Sequence, residues 1–556
     1  MNELSQLFAG VKSGDTLTLE RGRVYAIAPE DSFYLTGLYF SNTAKRDENP
    51  HGERFCGMYL ENLRDVTIDG GGATVLIHGI MTPFIFKACQ NIRMRNLTID
   101  HFRPTMSEMT VVESAPGEAT VRIQPEFLYR IEDGVLFWQS EPSASGAPYW
   151  EIPYKGPKVL TNAFDPHTGI IGDMLCGEGD ARPGFPDVTQ FTPLGGGLVH
   201  LRFRDTKKYL APGTVAQARC IRRVQTGGAI DDCAEVTLEN LRIHSMNCFG
   251  ILAQNSRDVT YDAIECVPKA GRTVVSDADF FHFSGCSGAV RVQNCRAMGA
   301  HDDIINIHGT HLRIVEADRI AKTLLLRYSH PESWGFNPYV PGDRIEYVSG
   351  DTLLPFGEAV VTDVRKVNDT DFRAAVDAIP DRPFAPNDVV ENVTRTASLT
   401  VENNVFERIP SRAILCTTRQ NVVIRGNTFR CMGAPALCVA DDANFWFESG
   451  RTGTIRFENN TVIDCGARET DSGCDVIRYE PVVLDKTSDT PVHDTLIVRG
   501  NRFENTLADR YTINLNYVRC AQIENNTSNV TLCIRRGKGV QSVQTEGTIS
   551  VFSENA

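Results

Sequence analysis

The phrases 399-LTVENNVF-406 and 422-VVIRGNTF-429 decide the architecture of this chain. Each alternates apolar and polar residues, reaches an asparagine, then resumes. The phrase returns as 455-IRFENNTV-462, 496-LIVRGNRF-503 and 521-AQIENNTS-528. Its asparagines, Asn404, Asn427, Asn460, Asn501 and Asn526, follow one another at intervals of 23, 33, 41 and 25 residues. Upstream, 236-VTLENLRI-243 and 259-VTYDAIEC-266 are again 23 apart, and 65-DVTIDGGG-72, 92-IRMRNLTID-100 and 289-AVRVQNC-295 are looser versions. Short β-branched runs at such spacing mark a solenoid of strands, whose coils bury their apolar faces only by stacking. The alternation points valine and isoleucine inward and Thr, Arg and Glu outward. The asparagine marks the corner, where left-handed backbone is tolerated and the amide reaches the next coil. Helical periodicity is nearly absent. The expected fold is all-β, a right-handed parallel β-helix with inserted β-barrel-like domains.

Two stretches break the repeat. One contains 137-FWQSEPSASGAPYWEIPY-154 and 210-LAPGTVAQARCIRRV-224; the other contains 334-WGFNPYVPGDRIEYVSGD-351. Both carry a Pro-Gly turn followed by an alternating strand. The chain therefore divides into N-terminal coils (1–103), a β-rich insertion (104–230), central coils (231–311), a barrel-like insertion (312–396) and C-terminal coils (397–556). Insertions on a solenoid gather on one face, often the binding face.

Bulk properties narrow the function. The 556 residues carry a net charge of −14 and no basic run, which removes the electrostatic footprint of a nucleic-acid binder. No apolar run approaches the ~20 residues that span a bilayer. The opening MNELSQLFAGVKSGDTL has neither a basic nor an apolar signal region, so the expectation is a cytoplasmic protein or a secreted one with its leader trimmed. None of the 16 cysteines forms a CxxC pair; reduced, buried cysteine is expected. The oligomeric state is open, with a homo-oligomer among the possibilities.

The chemistry concentrates in 276-SDADFFHFSGC-286 and 299-GAHDDIINIHGTH-311. With a coil of 23 residues, Asp279 lies beneath Asp302, Phe281 beneath Ile304 and Phe283 beneath Asn306. Strands ~4.8 Å apart then bring Asp279, Asp302 and Asp303 into one cluster. Carboxylates this close repel, which raises at least one pKa and makes a proton donor near neutral pH. That is the equipment for acid/base hydrolysis of a glycosidic bond. His282, Asn306, His308 and Arg272 are polar candidates around the cluster, for sugar hydroxyls or for holding the carboxylates. Trp334 and Trp150 are candidates to stack on a ring. Adjacent strand residues face opposite sides, so using Asp302 and Asp303 together requires a bend.

These residues resemble glycoside hydrolase family 110, the exo-acting α-1,3-galactosidases. Asp279-Phe-Phe-His282-Phe283 follows that family's Asp-Ala-Thr-His-Phe, with Phe280 and Phe281 as departures. Cys286-Ser-Gly288, Asn294-Cys295 and Asp302-Asp303-Ile-Ile-Asn306-Ile-His308-Gly309 follow in register, as do 39-YFSN-42, Asn49-Pro50, 66-VTIDGGG-72, 77-IHGIMTPF-84 and 337-NPYVPGD-343. The resemblance implies an inverting hydrolase without a metal or other cofactor. Its partner is an oligosaccharide with a non-reducing terminal α-galactose, blood-group-B-like or linear. In that scheme Asp302 is the general acid, and Asp279 and Asp303 hold and deprotonate the water. Two alternatives are a polygalacturonase-like β-helix hydrolase and a non-catalytic carbohydrate-binding β-helix. The first also needs a Gly-His-Gly and an Arg-Ile-Lys; 307-IHG-309 and 411-SRAIL-415 supply neither.

Overall fold

The computed structural model describes residues 1–154, 159–177, 187–220, 223–467, 474–546 and 550–553. Two long, largely parallel sheets run its length, one of 20 and one of 14 strands among the described residues. Each coil contributes to both, as a right-handed parallel β-helix requires. Phe281–Ser284 pairs with Ile305–Thr310, which pairs with Ile414–Thr417. On the other sheet Ser287–Gln293 pairs with Ala397–Glu402, and that with Val422–Arg425.

The alternation in the sequence is the alternation in burial. Leu399 and Val401 are fully buried while Thr400 and Glu402 are partly exposed. One continuous core runs from Leu4 to Val540, and Phe406, Phe429 and Phe457 stack along it at 5.8 and 5.6 Å. The helix Glu3–Ala9, capped by Asn2, covers the first coil with Leu4 and Phe8.

At the corners two residues share the work. Asn403, Gly426, Asn459, Gly500 and Asn525 take positive φ, between 54° and 68°. The asparagine that follows each one forms the ladder. Asn404 donates from its backbone N–H and its Nδ2 to Asn427 Oδ1, both at 2.9 Å, and Asn427 does the same to Asn460. Asn460, Asn501 and Asn526 continue it. Above Asn404 the position belongs to Cys295, whose N–H still donates to Asn404 Oδ1.

Strands between Ser107–Ala115 and Val215–Cys220 close one barrel; those between Leu312–Asp318 and Val389–Asn392 close a second. Each has its own core. Trp150 belongs to the first of these cores, 7% exposed, so it is no sugar platform. No helix among the described residues is long and apolar enough to cross a membrane. Fourteen of the cysteines, Cys176 and Cys220 not among them, are free and, Cys520 apart, buried.

One expectation about register is corrected. The coil bearing the site is one residue longer than 23, because Phe281 lies beside Ile305 and His282 beside Asn306. The extra residue is a bulge: Arg257 pairs with Ser287 but Val259 with Val290. Gly288 makes it, at φ 66°, where a Cβ would lie 2.4 Å from Asp258 Oδ1; Ala289 N–H donates to that oxygen at 3.0 Å. A slip of one residue exchanges the faces of a strand. Here it seats Asp279 against Asp303 and turns His282 and Asn306 outward together.

Candidate active site

Asp279 ends a turn before its strand; Ser276 ahead of it bridges Met246 and Ala300 on the neighbouring coils. Asp302 and Asp303 occupy the bend between Ala300 and the strand Ile305–Thr310. Freed from strand geometry there, both line the same cavity as Asp279, with nearest oxygens of the three within 4.8 Å of one another. The cavity encloses about 380 Å³ including its mouth.

The three carboxyls differ in what holds them. Asp303 is the most buried, with its side chain 1% exposed. Arg412 grips both its oxygens, Nε to Oδ1 and NH2 to Oδ2, each at 2.8 Å, and Ser411 Oγ adds a bond at 2.9 Å. Asp279 accepts from Asp303 N–H at Oδ1, 3.3 Å, and its Oδ2 lies 2.7 Å from His282 Nδ1. Asp302 alone keeps substantial exposure, 29% of its side chain, with Arg223 at 3.3 Å and Arg412 at 3.8 Å. A cation at the trio would compete with these guanidiniums for the same oxygens.

Burial pushes the Asp279 carboxyl up to about 8, and repulsion from Asp302 adds to it. Burial likewise raises Asp303 to about 7, against the pull of Arg412. Asp302 goes the other way: burial raises it, but Arg223, Arg412 and Arg219 together hold it below the usual carboxylate range. In the free protein the proton therefore resides on the floor of the site and Asp302 is ionised. That is the reverse of the distribution expected from the sequence, because the arginines attending Asp302 come from outside the motif.

Hydrogen-bond logic fixes where that proton points. His308 Nδ1 lies 2.6 Å from the carbonyl oxygen of Gly309, which only accepts, so Nδ1 carries hydrogen. Neutral His308 then presents a lone pair at Nε2. His282 Nε2, 2.8 Å away, must donate to it. His282 Nδ1 is left as an acceptor, and the hydrogen in its contact with Asp279 belongs to the carboxyl. Burial lowers both imidazoles, His282 to about 4, which agrees with neutral rings.

Of the expected residues, Asp279, Asp302, Asp303, His282 and Asn306 line the cavity, with His308 directly behind. Arg272 does not. It is held by Asp100 and Glu126, both at 2.8 Å, and its neighbour Thr273 bonds Glu108 of the first barrel; the loop that carries it is docked on that barrel. Trp334 is also elsewhere: it is 5% exposed, packs on Tyr39 and donates to Ala44 O at 3.0 Å. It pins the second barrel to the coils. Arg223, Arg412, Glu448, Trp446 and Asn42 line the cavity without having been foreseen. Arg412 lay in 411-SRAIL-415, set aside above; it stands 109 residues from Asp303, the interval that separates the paired Ile305 and Ile414. Removing the second barrel would have put it one coil on. Glu448 accepts from Asn42 Nδ2 at 2.7 Å and from Asn306 at 3.4 Å, and lies 3.7 Å from His308.

Comparison with known proteins meets this geometry. The β-barrel domain II of GLAA-B proteins matches residues 323–390, within the second barrel. "Alpha-1,3-galactosidase A" of Bacteroides fragilis (strain YCH46) is 33% identical over 491 residues, 88% of this chain and 77% of that protein. The chain belongs to glycoside hydrolase family 110. Other relatives include "Alpha-1,3-galactosidase A" of Streptomyces avermitilis, 32% identical over 84% of this chain and 75% of its own, and "Alpha-1,3-galactosidase B" of Bacteroides thetaiotaomicron, 29% identical over 88% and 77%. Among solved structures, a Yersinia enterocolitica family 28 exopolygalacturonase aligns over 99% of this chain and 73% of its own, with 9% identity and a TM-score of 0.27. As a family 110 glycosidase the chain carries its carboxylate trio on the central coils, between the two barrels in sequence.

Proposed function

We propose that this protein hydrolyses α-1,3-linked galactose from the non-reducing end of oligosaccharides, blood-group-B-like or linear, with inversion. The observation that carries the reading is the convergence of three carboxyls, of which Asp302 alone keeps substantial exposure. Asp302, the most exposed of the three, meets the glycosidic oxygen. Asp279 and Asp303 hold the attacking water and take its proton. Retention needs only two carboxyls, one acid and one nucleophile; a third has work to do when a water must be bound and activated.

Asp302 must acquire a proton to act as the acid. A bound sugar removes the water that covers its exposed side, and desolvation raises a carboxyl. The proton then moves from the floor to Asp302 across oxygens within 4.8 Å. Asp302 protonates the leaving oxygen as the water adds to C1, and the floor carboxylates accept the water's proton.

A second reading reverses the outcome. Asp302 is ionised in the free protein, and the 4.8 Å spacing is shorter than the ~6.5–9.5 Å usual for inversion. Both facts favour Asp302 as a nucleophile in a retaining reaction, with Asp279 as acid. Proton NMR of the protein with Gal-α-1,3-Gal from the first minutes decides. Early β-galactose supports inversion, early α-galactose supports retention, and no galactose at all refutes the galactosidase reading.

A further inference from the structure

Trp446 lines the cavity without a part in the reaction above. Yet 48% of the residue is exposed, and the preceding Phe445 is 66% exposed. Two adjacent aromatic rings left this open in a protein that buries most of its aromatic surface need a reason. They are not loose. The carboxylate of Asp442 accepts from the backbone N–H groups of Asn444, Phe445 and Trp446 at 2.7, 2.9 and 2.6 Å. Phe447 is buried behind them, under the guanidinium of Arg313 at 5.0 Å. On the far side the ring of His330, from the second barrel, packs on Trp446 with centroids 4.5 Å apart and planes 31° apart. The indole is thus clamped between the solenoid and its insertion, with its remaining surface turned to solvent at the cavity's edge.

Resting on the galactosidase reading, we propose that Trp446, flanked by Phe445 and His330, forms the binding platform for the sugar on the leaving side of the scissile bond. Asp279 and Asp303 are buried at the bottom of the cavity while the half-exposed indole lies at its edge, so a ring joined to galactose through the leaving oxygen lies outward of the trio, beside the indole. A pyranose offers one face of C–H hydrogens, which the electron-rich face of an aromatic ring attracts, while its hydroxyls stay in water. A rigid platform of this kind orders the acceptor without a large entropic cost. The occupant is a pyranose joined through the leaving oxygen, so the platform determines which glycans are cleaved and not whether galactose is recognised.

The test compares two substrates that share galactose and differ in the leaving group. Gal-α-1,3-Gal presents a sugar to the platform; α-galactosyl fluoride presents a single atom. In Trp446→Ala the ratio of kcat/KM for the disaccharide to that for the fluoride should fall about 10- to 100-fold. Phe445→Ala, at a residue with little buried surface, should lower the same ratio by a smaller factor and serves should Trp446→Ala fold poorly. A ratio unchanged in both variants, because both substrates lose equally or neither does, overturns the platform. Wild-type protein inert on both substrates overturns the galactosidase reading itself and the platform with it; wild-type activity with unchanged ratios overturns the platform alone.

Discussion

Replacing His308 by phenylalanine should reverse a hydrogen bond two residues away in space. In the native site His308 Nε2 is the acceptor that forces His282 to carry its hydrogen on Nε2. Phenylalanine removes the acceptor. The His282 ring then gains by moving its hydrogen to Nδ1, where the Asp279 carboxylate lies 2.7 Å away. A bond that supports the neutral acid becomes one that supports the anion. The first is worth about 1 kcal/mol and the second about 1.5–3, so the swing is about 2.5–4 kcal/mol, or about 2–3 pKa units. Asp279 would drop from about 8 to about 5–6. Asp302, Asp303, Arg223, Arg412 and Glu448, the other charged groups that face it, stay in place. Activity that needs the trio's proton is present below the governing pKa and lost above it. The basic limb of kcat/KM against pH, followed across about pH 4–10, should therefore move to lower pH in His308→Phe. Nitrogen-15 NMR of the imidazoles reads the cause directly: hydrogen on Nε2 of His282 in the wild type, on Nδ1 in the variant. A wild-type His282 protonated at Nδ1, or a variant whose basic limb does not move, would refute the reasoning.

Other perturbations follow from the same geometry. Asp302→Asn should remove most turnover of Gal-α-1,3-Gal while leaving the thermal midpoint within a few degrees; full activity in that variant would end its role. Arg412→Met leaves Asp303 buried without its partner, a loss of about 3–5 kcal/mol at pH 8. Because the stranded carboxyl keeps its proton in the folded state to a pH well above its unfolded value, the penalty should shrink toward pH 5, and a pH-independent fall in Tm would contradict this. Asn427→Ala takes the acceptor from two donors of Asn404 and the donor from Val401 O, about 2–4 kcal/mol in all, so amide exchange in residues 397–432 should quicken. Unchanged exchange would mean the ladder is not holding the coils. Arg272→Met should destabilise the loop that it ties to Asp100 and Glu126 yet change kcat/KM by less than about 3-fold, whereas Arg223→Met should cost at least about 100-fold. Equal losses would put Arg272 back in the substrate site.

The β-helix and its barrels were legible because their causes are local. Alternation of period two and a corner asparagine leave their mark within eight residues of sequence, and insertions interrupt that mark visibly. The meeting of Asp279 with Asp302 and Asp303 was legible for the same reason, since stacking carries a spacing into space. The exact partner was not, because a single bulge at Gly288 adds a residue that the repeat elsewhere lacks. Arg412 was hidden by the barrel between it and Asp303. Glu448 and Trp446 arrive on a loop that folds back across the mouth, with Glu448–Ser449 antiparallel to Gly309–Thr310, and no coil spacing announces that. Arg272 and Trp334 have the right chemistry for a sugar site but were claimed by the carboxylates of Asp100 and Glu126 and by a barrel that needed an anchor. A polar or aromatic residue near a motif is drawn to whichever partner the tertiary structure leaves unpaired.

The separation of Asp303 from Arg412 by 109 residues has a consequence for how the molecule is made. A ribosome adds about 5–20 residues per second, so Asp303 emerges about 5–20 s before the guanidinium that grips it. Through that interval the central coils have everything they need to stack except the counter-charge at their growing edge. The strand at that edge, Ile305–Thr310, follows the Asp302–Asp303 bend and waits for its partner Ile414–Thr417. The whole second barrel must be synthesised before the next coil can close over it. The carboxylate trio therefore gains the guanidinium of Arg412 only once the solenoid has resumed beyond the second barrel.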